Sequence, residues 1–230
     1  TSFNGSEFFI WYKDKKKRWD KTYALYRKSL TNNTTDNSLI PQRNRVVQTL
    51  GYYNISYPLD VFTSIRASAT MRFDKIAPLS TDSVSLHSRT INEQRVGARL
   101  EYVFDNTIAR GLNLYNGIRA KLFGEYYRQI DKKETDFFVI GFDARGYKKI
   151  HRDFIWANRL AGSTSFGNKK LIYYMGGVDN WFTPRFDNTT NIATDQNYAY
   201  QTLATSMRGF YQNVRNGNSF VVFNSELRFP

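Results

Sequence analysis

Few residues in this chain of 230 could make or break a bond. The two histidines, His87 and His151, sit in turn-like stretches with no nucleophile motif beside them. There is no cysteine, so thiolate chemistry, disulfides and cysteine-ligated metals are excluded. No G-x-S-x-G, H-E-x-x-H or Walker loop occurs. Asp187 and Asp195 could offer oxygen ligands, but they lack the spacing of an EF-hand loop. Glu101 and Glu125 are expected on one face, where partnership with Arg99 and Arg119 explains them better than acid–base work. These residues predict a protein that is no enzyme and holds no cofactor or metal. One residue invites a different chemistry. Arg208 lies in Met207-Arg208-Gly209-Phe210, an arginine fixed between an apolar residue and Gly-Phe, inside a long polar stretch opened by Gly176-Gly177. A guanidinium delivers a planar fork of donors that can form two parallel bonds to a carboxylate.

The elements that must position that arginine are strands. From Leu59 to Asp74 the odd positions read Leu, Val, Thr, Ile, Ala, Ala, Met, Phe, and the even ones Asp, Phe, Ser, Arg, Ser, Thr, Arg, Asp. Strict alternation of this kind puts one face in an apolar medium and the other in water. It recurs in 95–105, where Val96, Ala98, Leu100, Tyr102 and Phe104 oppose Arg95, Arg99, Glu101 and Asp105. In 118–129 the apolar residues are Ile118, Ala120, Leu122 and Tyr126, against Arg119, Lys121 and Glu125. In 219–229, Val221, Phe223, Leu227 and Phe229 oppose Asn224, Glu226 and Arg228. The pattern predicts nine strands, at 6–12, 19–29, 43–57, 59–73, 95–105, 117–130, 136–148, 154–166 and 219–229; the first and that at 154–166 alternate poorly. Short connections (13–18, 57–58, 106–116, 149–153) take turns with longer or more polar ones (30–42, 74–94, 131–135, 167–218).

No run approaches 18 apolar residues, which excludes a transmembrane helix. The start lacks the charged and apolar regions of a signal peptide, as a mature form or a fragment would. Strands of eleven to fifteen residues are long for a soluble sandwich, whereas charged same-face positions beside an apolar opposite face suit a wet lumen inside a lipid-facing wall. The expected class is therefore all-β, an antiparallel transmembrane β-barrel. The net charge of +13 is spread over strands and turns without a nucleic-acid-binding motif, which points to lipid phosphates rather than nucleic acid. The basic run Lys13–Arg18 reads first as a solvated turn. An odd number of strands, and Pro230 closing a strand, predict part of a larger barrel.

The ordered set Gly176-Gly177, Met207-Arg208-Gly209-Phe210 and Asn224-Ser-Glu-Leu-Arg-Phe-Pro230 resembles the end of an Omp85 superfamily barrel. There, a sixth extracellular loop carries an aliphatic-Arg-Gly-aromatic motif, followed by a strand reading Glu-aliphatic-Arg-aromatic-Pro. Leu100–Asn106 and Arg159–Gly167 resemble other strands of that barrel. The resemblance covers roughly 95–230. It implies that residues 1–230 form strands 4–12 of a sixteen-stranded barrel in a bacterial outer membrane. The loop of about 167–218 would fold into the lumen, with Arg208 paired to acidic residues of the wall and Phe210 packed beside it. Glu226 is the local acidic candidate, with Arg228 and Arg99 as its alternative partners. The insertion Val178–Ser206 departs from the usual short spacing and is expected to reach the exterior; its wording resembles Bacteroidota members fused to a periplasmic β-propeller. The implied activity is assembly, insertion or translocation of outer-membrane proteins. Implied partners are membrane lipids, lipopolysaccharide, unfolded outer-membrane proteins and accessory lipoproteins. A membrane anchor for another domain and a simple pore are the alternatives.

Overall fold

The computed structural model describes residues 7–35, 41–79, 89–130, 135–152, 154–177, 190, 198–207 and 209–229. Thirteen strands occur among them and no helix. The main sheet runs through β1 (Phe8–Asp14), β2 (Asp20–Thr35), β3 (Pro41–Pro58), β4 (Thr63–Pro78) and β5 (Ile91–Asp105). It continues through β7 (Leu114–Gln129), β8 (Asp136–His151), β9 (Phe154–Gly167) and β13 (Ser219–Arg228), while β6 (Ile108–Gly111) pairs with β7. Every pairing in this sheet is antiparallel, and each strand lies beside the next strand of the path. No closed barrel forms: among the described residues β1 and β13 pair on one side only.

Register turns the sequence alternation into two surfaces, because a period of two sends neighbouring residues to opposite faces. Met71, Val96 and Phe73 share the outer face with Leu100, Leu122, Ile140, Val221 and Phe223, all exposed. Arg72, Asp74, Arg95 and Asp143 are buried on the inner face. The sheet curls about that inner face. Arg228 of β13 donates from Nη1 to the carbonyl of Asn113, at the β6–β7 turn, over 3.2 Å.

The expected nine strands are present, with corrected ends. The fourth begins at Thr63 rather than Leu59, because Leu59–Phe62 form a turn. Asp60 fastens it by accepting the amides of Phe62 and Thr63, each at 2.6 Å. Hydrogen bonds from the Thr63 side chain and from those amides hold the Asp60 carboxyl below the usual carboxylate range. Leu59 and Val61 have the same parity as the strand they precede, so alternation does not reveal the turn. The expected connection 106–116 is in part a strand, β6, folded against β7. The stretch 154–166 does alternate. Ile155, Ala157, Ala161, Ser163 and Ser165 are buried, against exposed Phe154, Trp156, Leu160 and Phe166. Apart from Arg159, its inner residues are small or apolar rather than charged, which hid the pattern.

A second sheet lies in the long connection between β9 and β13. It consists of β10 (Lys170–Met175), β11 (Tyr198–Leu203) and β12 (Arg215–Gly217), in the order β11-β10-β12. β10 pairs parallel with β11 and antiparallel with β12. The end of the insertion therefore does not reach outward as expected. Tyr198–Leu203 forms a strand that packs on the inner face.

Candidate functional site: the loop sheet and the charged wall

The core is where the loop sheet meets the wall. Leu171, Tyr173 and Ala199 from the loop sheet are buried against Phe137 and Val139 of β8, with Phe123, Tyr127, Tyr200 and Phe220 packed around them. Ser163 and Ser165, inner residues of β9, supply polar anchors. The Tyr173 and Ser163 hydroxyls are 2.9 Å apart. The Leu171 amide donates to Ser165 Oγ at 2.9 Å, and Ser165 Oγ donates back to the Leu171 carbonyl at 3.2 Å. Burial pushes the Tyr173 and Tyr200 hydroxyls up to about 12, since removal from water disfavours the phenolate.

Opposite β11 stands a cluster of charges. Arg95 is 1% exposed. It donates to Asp74 Oδ2 at 3.0 Å, to Glu93, and to the Ala199 carbonyl at 3.1 Å. One guanidinium thus joins β4, β5 and the loop strand β11. Arg72 donates to the same Asp74 oxygen at 2.7 Å and lies 3.5 Å from the centre of the Tyr200 ring. A guanidinium over an aromatic face is attracted by the ring's negative quadrupole, and more so where water is excluded. The Tyr200 ring also meets Phe137 and Tyr127 edge-on, at 5.8 and 6.4 Å.

The glycines that open the loop and the Arg-Gly motif, far apart in sequence, are brought together. The Gly177 amide donates to the Phe210 carbonyl at 3.0 Å, and the Met207 amide donates to the Gly177 carbonyl at 2.6 Å. Gly176 has φ +112°, and a Cβ there would lie 1.9 Å from the Tyr211 carbonyl oxygen. Only a residue without a side chain fits that crossing. Gly209 has φ +81° with open space about it, so its constraint is the backbone conformation alone. Arg208 itself lies outside the described residues. Phe210 is 51% exposed rather than packed away.

The other expected residues form local pairs. Arg99 bridges Glu101 and Glu125, which gives both carboxylates the partner anticipated for them. Arg119 pairs with Asp105 at 3.3 Å. Glu226 accepts two bonds from Arg228, at 2.8 and 3.0 Å, one of the partners expected for it. His87, Asp187 and Asp195 lie outside the described residues, and His151 is exposed at the end of β8. Between wall and loop sheet is a cavity of about 410 Å³, with Arg72, Arg99, Lys121, Glu125, Asp143 and Arg159 among its lining. Asp143 in turn accepts from both Arg145 and Arg159.

Arg95, Asp74 and Tyr200 carry the docking, and sequence reading did not single them out. Arg95 and Asp74 were visible as charged members of alternating strands, but nothing local to them marks a loop strand a hundred residues away. What the arrangement does chemically is to hold. Paired guanidiniums stay charged and dry because each has a carboxylate or an aromatic face beside it. No family model, no curated protein and no solved structure matches this chain.

Proposed function

We propose that the chain is part of an Omp85-type outer-membrane barrel that acts in the assembly, insertion or translocation of other outer-membrane proteins. The observation that carries this reading is the loop sheet docked on the charged inner face, with Gly176-Gly177 bonded to the Met207–Phe210 segment. A loop built into the lumen by a buried arginine narrows the passage, which supports this reading over an open diffusion pore. The outer face supports the lipid setting, since Leu100, Leu122, Val221 and Phe223 are each more than half exposed and would lie against acyl chains. In lipid, the one-sided pairing of β1 and β13 would leave backbone groups without partners. On this reading the nine strands of the main path are the fourth to the twelfth of sixteen, and further strands complete the wall. Function then rests on strand exchange at a weak seam and on local thinning of the bilayer. No covalent chemistry is required.

The test is complementation by the full-length protein carrying Arg208→Ala or Arg208→Lys. Both are expected to lower the levels of folded outer-membrane proteins, Lys included, because an ammonium is a point donor and cannot form the two parallel bonds of a guanidinium. Normal levels in both variants would overturn the role given to the loop.

The charged cavity beside the loop sheet favours a second reading, a pore. Ion conductance in planar bilayers that is unchanged by Arg208→Ala and needs no partner protein would select it.

A further inference from the structure

We infer that the short-turn end of the sheet is a docking surface for anionic phospholipid headgroups, centred on Lys15, Lys16 and Lys17. The inference rests on the membrane reading above and adds a ligand to it. The β1–β2 turn contains five cations in Lys13–Arg18. Its two flanking carboxylates are already engaged. Asp14 accepts the Lys16 amide at 3.0 Å, and Asp20 pairs with Lys13 at 3.0 Å. Arg18 turns back over the Tyr57 ring, 4.8 Å from its centre, and donates to the Pro58 carbonyl at 3.4 Å. Lys15, Lys16 and Lys17 are left exposed, with no carboxylate within ion-pair distance among the described residues.

Carboxylates of the neighbouring turns are engaged as well. Asp60 is consumed by its own turn, and Asp105 by Thr107 and Arg119. The end of β8 and the turn after it present Lys148, Lys149 and Arg152, all exposed. Each of these turns also lifts an apolar side chain into the open: Val61 is 90% exposed, Leu112 93% and Ile150 58%. Just inside the rim on the outer face, Trp19 lies against Tyr57, with ring centres 4.7 Å apart, and Phe154 against Phe229 at 5.9 Å. Aromatic pairs of this kind sit at the depth of lipid headgroups. Unbalanced lysines beyond that belt would meet the headgroups themselves, and their charge selects anionic lipid over zwitterionic. An acidic protein would meet the same lysines, but it would leave the apolar tips and the aromatic belt without a use.

The experiment is native mass spectrometry of the full-length protein in detergent micelles, titrated with dioleoylphosphatidylglycerol or dioleoylphosphatidylcholine. Phosphatidylglycerol is expected to bind roughly tenfold tighter or more, and the preference should weaken as salt rises. K15Q/K16Q/K17Q should remove the preference, whereas the corresponding triple Arg variant should keep it. Equal binding of the two lipids, or an unchanged preference in the triple Gln variant, overturns the inference. So does tighter binding of a decaglutamate peptide than of phosphatidylglycerol, which would assign the surface to an acidic protein. Alkaline carbonate washing of membranes separates the two levels. A protein that stays in the membrane without lipid preference loses only this inference, and one that washes off loses the membrane reading as well.

Discussion

The inner face of the sheet is two different surfaces. Over β4 to β9 and β13 it is charged, and the loop sheet covers part of it; Arg95, Asp74 and Asp143 are buried there. Over β1 to β3 it is aromatic and open. Phe9, Trp11, Ala24, Tyr26, Leu50 and Tyr52 line a hollow of about 410 Å³, and Phe9 and Trp11 are each 61% exposed. The difference shows what the charges are for. Where the wall is covered, guanidiniums and carboxylates pair with each other and with the loop backbone, so their burial is compensated. Where it is open, aromatic side chains contribute little, since an exposed ring gains little on folding.

The largest effect expected from this contrast is at Arg95. Arg95→Ala leaves Glu93 without its guanidinium, Asp74 with Arg72 alone, and the Ala199 carbonyl without this donor. A loss of about 3–5 kcal/mol is expected, read as a fall in the urea midpoint of the protein in detergent micelles, with protease sensitivity appearing in the loop. A loss below about 1 kcal/mol would mean that the loop sheet is held elsewhere.

An intermediate effect is expected from alkaline titration. Tyr173 and Tyr200 have their hydroxyls raised by burial from the ordinary 10.0 to about 12. The neutral phenol is thus the form that the docked loop favours. Its contribution is fully present below pH 10 and is lost as pH rises through about 12, with a cost on the order of 2–3 kcal/mol for each tyrosine. Phenolate absorbance followed alongside loop proteolysis checks this. Release of the loop while these tyrosines remain protonated would break the link between burial and docking.

The smallest effect is expected on the open side. Trp11→Ala should cost less than about 1 kcal/mol, given the ring's exposure. A loss matching that of Arg95→Ala, in the same urea titration, would show that the aromatic face is covered too and would erase the contrast.

The same contrast governs how much could be read from the residues. Strands β4, β5 and β7 were legible because their two faces meet unlike surroundings, so apolar and charged residues alternate. In β1, the run Phe-Phe-Ile-Trp-Tyr puts rings on both faces, and in β9 the inner face is, apart from Arg159, small and apolar where the loop sheet packs on it. There the period of two is still present in the backbone but absent from the hydropathy. The Arg99–Glu101 and Glu226–Arg228 pairs were legible for a related reason, since residues two apart on a strand share a face.

The sequence by itself determined the all-β class, the nine-strand path and the division of most strands into an apolar and a polar face. Those follow from a local geometric fact, the alternation of side chains along an extended chain. Only the tertiary structure decided that the long loop carries a sheet of its own, that Gly176-Gly177 meets the Met207–Phe210 segment, and that Arg95 clasps the loop. Arg95 and Ala199 are 104 positions apart. Contacts over such distances depend on how the curled sheet and the returning loop occupy the same space, and no periodicity along the chain encodes that.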